Sequence, residues 1–161
     1  MVLVGTLVAL ERITPELARR ILARQERSGD NWHAVYPLVD ELDPLGSLAN
    51  SIDSGSEFTL YLVRQLSTGL AVGRLEFAGP PDGNGRVEFG GGLVPSARSR
   101  GLATEAVQVA LEHAARHGAR LAAAATSTTN FASRRVLAKA GLVEVGRNES
   151  VVLFERSLVA R

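Results

Sequence analysis

The chain contains no cysteine, which excludes disulfide bonds, thiolate catalysis and cysteine-ligated metals. Aromatic residues make up only 5% of the 161 residues, and lysine occurs once, at Lys139, so arginine supplies almost all of the 18 basic side chains. No apolar run approaches the length of a membrane span, and the apolar stretch MVLVGTLVAL lacks the basic region and the cleavage pattern of a signal peptide. We therefore expect a cytoplasmic protein with no membrane partner.

Neither sign of charge dominates, since the formal net charge is +1, and we expect no nucleic-acid partner. The charges are nevertheless unevenly distributed. Residues 98–135 contain six arginines and only two glutamates. Residues 28–63 contain no lysine or arginine and six carboxylates, namely Asp30, Asp40, Glu41, Asp43, Asp53 and Glu57.

The three histidines do not form a recognised metal-binding pattern. His113 and His117 are four residues apart on a predicted helix, but no HExxH motif accompanies them, and His33 lies far away in the sequence. We interpret His113 and His117 as solvated side chains near a helix end, and we expect no bound metal.

Apolar periodicity and turn signals predict one α/β domain over residues 1–161, with a mixed, mostly antiparallel central sheet flanked by helices. A first strand is predicted over residues 3–10. A helix that begins after Thr14 and ends at residues 28–29 follows, and then a weaker helix over 39–52, broken by Pro44 and Gly46. The remaining predicted elements are strands over 57–65, 70–79 and 86–94, a helix over 101–117 that ends at Gly118, a strand over 120–126, a helix over 130–140 capped by Asn130, and two last strands.

The stretch PSARSRGLATEAV, residues 95–107, carries Arg98, Arg100 and Gly101 at the start of a predicted helix. Positive charge is unfavourable there for the helix dipole alone. A glycine-containing turn exposes the backbone N–H groups of the first helical turn as an anion site, and the arginines are favourable once phosphate binds. Neither a P-loop nor a dinucleotide fingerprint is present, and an isolated Arg-x-x-Gly-x-Ala more often means a capped helix with solvated arginines.

The surroundings of this loop resemble the GNAT superfamily of acyl-CoA-dependent N-acyltransferases. The stretches VEFGGGLVPSARSRGLATEAVQVAL and NFASRRVLAKAGL carry the resemblance, which is sharp from about residue 86 to residue 142. Arg98-x-x-Gly101-x-Ala103 is similar to the pyrophosphate loop of that superfamily. Asn130-x-x-Ser133, with the closing residues 139–142, resembles the branch that contains ribosomal-protein alanine N-acetyltransferases.

The resemblance implies that two strands splay apart and hold the pantothenate arm of acetyl-CoA, the co-substrate, along the backbone of Leu93 and Val94. It implies that Asn130 and Ser133 contact this arm or its thiol end. Ser133 is then the candidate for protonating the leaving thiolate, because the tyrosine that many members carry on this helix is absent. The pyrophosphate is expected on the loop amides, which belong to Arg98, Ser99, Arg100, Gly101, Leu102, Ala103 and Thr104.

Glu88 stands where this branch often carries a glutamate base. An amine with a pKa of about 8 to 10 must lose a proton before it reacts, which such a base supports. Strand alternation puts Glu88 on one face with Gly90, Gly92 and Val94 unless a bulge intervenes, and the alternative is a surface glutamate. Gly91, where relatives often have an aromatic residue, is expected to enlarge the acceptor pocket.

Trp32, His33 and Tyr36 lie in the loop that usually lines the acceptor site in this superfamily, or they simply attach the loop to the core. If the acidic segment covers the same mouth, its negative potential predicts a cationic acceptor, such as a basic peptide N-terminus, a polyamine or an aminoglycoside. Alternatively, these carboxylates are only solvated helix faces. The other functions considered are a small-molecule N-acetyltransferase and a non-catalytic acyl-CoA sensor, as a monomer or a homodimer.

Overall fold

The structure is a computed structural model that describes residues 2–159. Its strands are β1 (Val2–Val4), β2 (Val8–Arg12), β3 (Leu60–Gln65), β4 (Ala71–Phe77), β5 (Arg86–Leu93), β6 (Leu121–Ser127), β7 (Val143–Arg147) and β8 (Val151–Ser157). Its α-helices are α1 (Pro15–Leu22), α2 (Leu42–Ala49), α3 (Leu102–Arg116) and α4 (Phe131–Lys139). Short 3₁₀ turns at Val39–Glu41 and Pro95–Ala97 precede α2 and α3.

The strands form one sheet in the order β1-β2-β3-β4-β5-β6-β8-β7. Every neighbouring pair is antiparallel except β5 and β6, which run parallel and are connected through α3. The predicted mixed, mostly antiparallel sheet with flanking helices is confirmed. None of the helices within residues 2–159 is long and apolar enough to cross a membrane.

The first predicted strand is wrong, because residues 3–10 are divided between β1 and β2 by a turn. The Gly5 N–H donates to the Val8 carbonyl, and the Glu105 carboxylate on α3 accepts from the N–H groups of Thr6 and Leu7. The acceptors for this turn therefore come from a carboxylate that is distant in the sequence. The local pattern of apolar residues cannot predict such a contact.

Two helix boundaries also differ from the prediction. Helix α1 starts after Thr14, whose hydroxyl accepts from the Leu17 N–H, but it ends at Leu22 because the chain turns into a left-handed conformation at Arg24. Helix α2 continues through Pro44, which lies in the first turn, where a backbone N–H has no helical partner to lose.

The two faces of the sheet carry different helices. Tyr61 on β3 packs against His113 on α3, and its register partner Leu75 lies on the same face. The adjacent Arg74 points to the opposite face, where it approaches residues 40–41 ahead of α2, and α1 packs against α2. His113 is only 5% exposed, so the expectation that it is solvated is wrong.

The parallel pair β5–β6 is short and then opens. Residues 86–88 pair with residues 121–123, and no further pairs join these strands although both continue in the described chain. Beyond residue 88, β5 stays paired with β4, and β6 stays paired with β8. The predicted splayed strand pair is confirmed, and α3 begins just beyond the open end of β5.

The glycines of β5 have two different packing environments. A Cβ at Gly91 would overlap the carbonyl oxygen of Arg74 on β4, whereas a Cβ at Gly90 would meet nothing within 4 Å. Gly91 pairs with Leu75 and faces the α3 side, so the glycines on the α1–α2 side, Gly90 and Gly92, leave the open space there. The expectation that Gly91 enlarges an acceptor pocket is therefore wrong, because backbone contact accounts for this glycine.

Gly91→Ala should lower the free energy of unfolding by roughly 1–3 kcal/mol, because β4 and β5 must move apart to admit the methyl group. Gly90→Ala is the matched control and should leave stability unchanged or slightly higher, since alanine loses less backbone entropy on folding. Denaturant unfolding of the two variants measures the difference. Equal stability of both would contradict the close packing at Gly91.

Candidate active site

A cleft of about 780 Å³ opens where β5 and β6 separate. Its walls are the open end of β5, the start of α3, the end of β6 and one face of α4, and residues 38–40 and Arg74 close its far end. One cavity thus joins the glycine-rich strand, the arginine-rich loop and the second predicted helix cap.

The edge of β5 that faces this cleft has backbone groups without a strand partner. The Glu88 carbonyl accepts from the Ala78 N–H, and the Val94 N–H donates to the Val72 carbonyl, so the even-numbered residues of β5 bond towards β4. By the alternation of an antiparallel ladder, Gly91 and Leu93 direct their N–H and C=O groups towards the gap.

This pattern corrects one predicted pair of cofactor contacts. The backbone of Leu93 faces the gap as expected. That of Val94 does not, because its N–H is already bonded to β4 and the residue is fully buried. Gly91 is the residue that alternation adds instead.

The loop before α3 holds an unusual backbone conformation. Ser99 has φ 62° and Gly101 has φ 79°, and both line the cleft. A non-glycine residue in the left-handed region is uncommon and is concentrated at functional sites. Arg98 fixes the loop to the strand, since its Nε donates to the Leu93 carbonyl at 3.0 Å. The loop therefore presents the free N–H groups of the first helical turn towards the open strand edge.

Helix α4 forms the opposite wall and carries two cations; one belongs to the arginine-rich segment 98–135, which was expected to face the anionic cofactor, and the other, Lys139, had no expected role. The Asn130 side chain caps α4 by accepting from the Ser133 N–H at 3.1 Å, as predicted, and both residues line the cleft. Arg135 and Lys139 line it as well, one helical turn apart. Their spacing of four residues on the helix that Asn130 caps could have predicted that they share one face. Together with Arg98 they make this wall cationic.

Asp40 is the carboxylate at the far end of the cleft. Its Oδ2 lies 3.7 Å from Arg74 Nη1, and it would be 3.9 Å from a Cβ added at Gly92. Asp40 therefore sits over the glycine that precedes Leu93, on the α1–α2 face of the sheet. From the sequence, Asp40 was distinguishable only as one of six carboxylates in an acidic segment.

Arg74 joins Asp40 to a buried polar cluster. Its Nη2 donates to Glu76 at 3.0 Å, and its Nη1 lies 3.9 Å from Glu41 Oε1. Glu41 is fully buried, and burial raises the pKa of its carboxyl to about 7. The hydrogen bond that Glu41 accepts from the Leu38 N–H lowers this pKa, but by less than burial raises it. Burial raises the pKa of the neighbouring Tyr36 hydroxyl as well, so this phenol remains neutral. Hydrogen bonds to Glu76 fix one side of the Arg74 guanidinium, whereas Arg74 Nη1, Glu41 Oε1 and the Tyr36 hydroxyl are buried without a hydrogen-bond partner in the described chain.

The predicted acceptor residues Trp32, His33 and Tyr36 do not line the cleft. The backbone of Trp32 forms a bridge to Ala71, and His33 Nε2 lies 3.1 Å from the Ser96 hydroxyl. Tyr36 is only 3% exposed. The alternative interpretation, that these side chains attach the loop to the core, describes their contacts.

Glu88 lies on the predicted face but outside the cleft. The β4–β5 register continues without a shift from Gly73 to Phe77, so Glu88 shares its face with Gly90 and Gly92. Its carboxylate, however, is bound to Arg86 Nη1, and the side chain is 59% exposed. An ion pair within β5 therefore draws Glu88 away from the open end of the strand.

The acidic segment does not form one negative surface. Asp30 is bound to Arg20 at 2.6 Å and Asp53 to Arg12, so arginines from outside the segment neutralise both carboxylates. Each of these ion pairs lowers the pKa of its aspartate. Glu57 contacts His113 on the opposite face of the sheet. Only Asp40, of the six carboxylates, lines the cleft within the described chain.

The splayed sheet and its cationic, amide-lined cleft are those of an acyltransferase that uses acyl-CoA. The sequence profile of the acetyltransferase (GNAT) domain matches residues 9–143, and the chain therefore belongs to the GNAT family, whose members transfer acyl groups from coenzyme A to an amine. No curated protein sequence matches this chain closely enough to count as a relative.

Several solved structures share the fold at low sequence identity. An α-N-protein acetyltransferase of a ribosomal protein, in complex with coenzyme A, has a TM-score of 0.70 and 17% identity, over 98% of either chain. The ribosomal-protein-S5-alanine acetyltransferase from Vibrio fischeri has a TM-score of 0.70 and 16% identity, over 98% of this chain and 96% of its own. A spermidine N-acetyltransferase chimera from Vibrio cholerae has a TM-score of 0.70 and 15% identity, over 95% and 96%.

Proposed function

We propose that the protein transfers an acetyl group from acetyl-CoA to a primary amine on a cationic acceptor, with a basic peptide N-terminus as the first candidate. The observation that carries the proposal is the open edge of β5, which ends at a loop of free N–H groups and faces a cationic helix. Peptide-like amides of a pantothenate arm and the phosphates of a nucleotide match these two halves. A cytoplasmic location and the oligomeric state stay predictions.

The residues present fit acetyl-CoA. Gly91 would bond the arm, the Leu93 N–H would lie at the thioester end of the arm, and the amides of residues 99–104 would hold the pyrophosphate. Arg98, Arg135 and Lys139 would add favourable charge, with Arg100 at the exposed rim of the loop. Asn130 and Ser133 would lie beside the arm on α4. Leu102 contributes only its N–H, since its side chain is buried in the core.

Gly101→Glu should weaken acetyl-CoA binding by at least about 100-fold, because a carboxylate would occupy the approach to the loop amides and repel the pyrophosphate. Gly118→Glu is the matched control, since Gly118 also has positive φ, at 97°, and lies in open space at the other end of α3. Calorimetric titration of both folded variants decides the matter. Normal affinity in Gly101→Glu would refute the loop as the phosphate site.

The chemistry requires removal of a proton from the acceptor amine, and we propose Asp40 as the group that accepts it. Acetyl-CoA, when bound, supplies the acetyl group as a thioester. Asp40 can bind the incoming ammonium over Gly92 and take its proton, and the positive charge of Arg74, 3.7 Å away, favours its carboxylate form; the Asp40 side chain is 63% exposed and therefore accessible to an acceptor. The Leu93 N–H is directed into the gap, where it can donate a hydrogen bond to the oxygen that becomes negative during acetyl transfer. The Ser133 hydroxyl, which makes no hydrogen bond with another residue of the described chain, remains the candidate proton donor.

Asp40→Asn should lower turnover by about 10²- to 10⁴-fold with near-normal acetyl-CoA affinity, the usual effect of losing a general base. The deficit should shrink at high pH, where the amine loses its proton unaided. Glu88→Gln serves as the matched control, because the family resemblance implied Glu88 as the base. It should retain most activity. Stopped thiol-release assays from pH 7 to 10 measure both. A large loss confined to Glu88→Gln would return the role to Glu88.

The support for a cationic acceptor comes from Asp40, whose carboxylate lines the cleft. The rest of the acidic segment does not add to it, because its other carboxylates lie outside the cleft. Of the fold neighbours named above, two act on ribosomal proteins and one acts on spermidine, a polyamine that is cationic at neutral pH. A small-molecule amine is therefore the second candidate. A non-catalytic acyl-CoA sensor would bind acetyl-CoA and release no thiol with any amine.

An acceptor panel matched in size should separate these functions. It comprises peptides with basic, neutral and acidic residues after an N-terminal alanine, together with spermidine and an aminoglycoside, at low and high salt. Basic peptides should have the highest kcat/KM, and their advantage should narrow at high salt through screening. A preference for acidic or neutral acceptors would contradict the proposed acceptor class, and no thiol release with any amine would favour the sensor.

A further inference from the structure

A second cluster of chemically active side chains lies at the C-terminal end of α3, on the face opposite Asp40. Glu57, just before β3, meets His113 and His117, and one ligand atom from each of the three residues lies within 4.8 Å of the other two. Twelve steps along the helix, each rising 1.5 Å, separate His113 from Gly101 at the start of α3, which is about 18 Å. The cluster is therefore independent of the proposed acetyltransferase site.

The distances within the cluster are close to those around a metal ion. Glu57 Oε2 lies 2.9 Å from His113 Nε2, and Glu57 Oε1 lies 4.0 Å from His117 Nε2. Bonds of about 2.1 Å in a tetrahedral arrangement put neighbouring ligand atoms about 3.4 Å apart. Binding therefore requires the Glu57 carboxylate to move slightly away from His113 and closer to His117.

The hydrogen bonds of the histidines prepare them as ligands. His117 Nδ1 lies 2.9 Å from the His113 carbonyl oxygen. A carbonyl only accepts, so Nδ1 of His117 carries the proton and Nε2 keeps its lone pair. A ring nitrogen anchored to a backbone carbonyl is the usual support of a metal-bound histidine. His113 is fixed by burial and by the edge of its ring against Tyr61.

The local charges also favour a cation. Glu57 places a partly exposed carboxylate beside both imidazoles. Both histidines lie at the end of α3, where the helix dipole is negative. The nearby Arg12 is occupied by Asp53. A bound ion would replace the proton that His113 Nε2 shares with Glu57, and the proton would pass to solvent.

We propose that Glu57, His113 and His117 form a site for a divalent transition metal, with Zn²⁺ as the best match. Two imidazoles and one carboxylate are a zinc ligand set, and solvent can supply the fourth ligand because His117 and Glu57 are partly exposed. The ion would connect the segment that leads into β3 to the end of α3. Zinc at this position stabilises the fold and takes no part in acetyl transfer.

Calorimetric titration of the untagged, full-length protein with Zn²⁺ alone tests the site. One ion should bind per chain and raise the melting temperature. His117→Ala and Glu57→Gln should each weaken the affinity at least about tenfold, as the loss of a metal ligand does. These residues are preferred to His113, whose replacement would leave a space in the core. His33→Ala, which removes the histidine outside the cluster, is the matched control and should bind zinc as the wild type does.

Two outcomes would overturn the proposal. The first is the absence of saturable zinc binding to the folded wild-type protein. The second is binding that His117→Ala and Glu57→Gln leave unchanged or that His33→Ala weakens equally, since the ion would then lie elsewhere. Neither outcome affects the acetyltransferase proposal, because none of these experiments measures acetyl transfer.

Discussion

The separation of β5 from β6 after residue 88 is the constraint on which the rest of the structure depends. Each strand is satisfied on its outer side, β5 by β4 and β6 by β8, so the backbone groups on the inner sides face each other across a gap. Open strand edges within a domain attract peptide-like partners. Helix α3 begins at the mouth of this gap, and its free N–H groups add an anion site to the same opening.

Close packing of the backbone decides which side of the gap is free for chemistry. Gly91 fits against the Arg74 carbonyl, whereas Gly90 and Gly92 leave space on the α1–α2 face. Asp40 reaches over Gly92 into this space, supported by an arginine whose other contacts are Glu76 and the buried Glu41. The strand geometry thus separates a face filled by the core from a face on which an acceptor amine can approach a carboxylate.

Much of the architecture was predictable because it depends on local signals. Alternating strands, the Thr14 and Asn130 caps and the glycine after α3 are written in neighbouring residues, and the loop from Arg98 to Thr104 carries a compact family motif. The predicted strand over residues 3–10 was wrong because the Glu105 carboxylate, some 99 positions away from Thr6, creates the intervening turn. Val94 and Gly91 were misjudged because the direction of their backbone bonds depends on the pairing with β4.

The sequence by itself determined the family, the mixed sheet and the position of the phosphate loop, since these follow from short motifs and from the periodicity of apolar residues. Only the tertiary structure decided which charges act together. Asp30 and Asp53 are neutralised by arginines of α1 and β2, Glu88 is held by Arg86, and Asp40 alone of the six carboxylates in the acidic segment lines the cleft within the described chain. Likewise, Glu57 joins His113 and His117 across 56 positions of sequence. The interaction between two charges depends on the distance between them in space, and that distance cannot be read from their separation in the sequence.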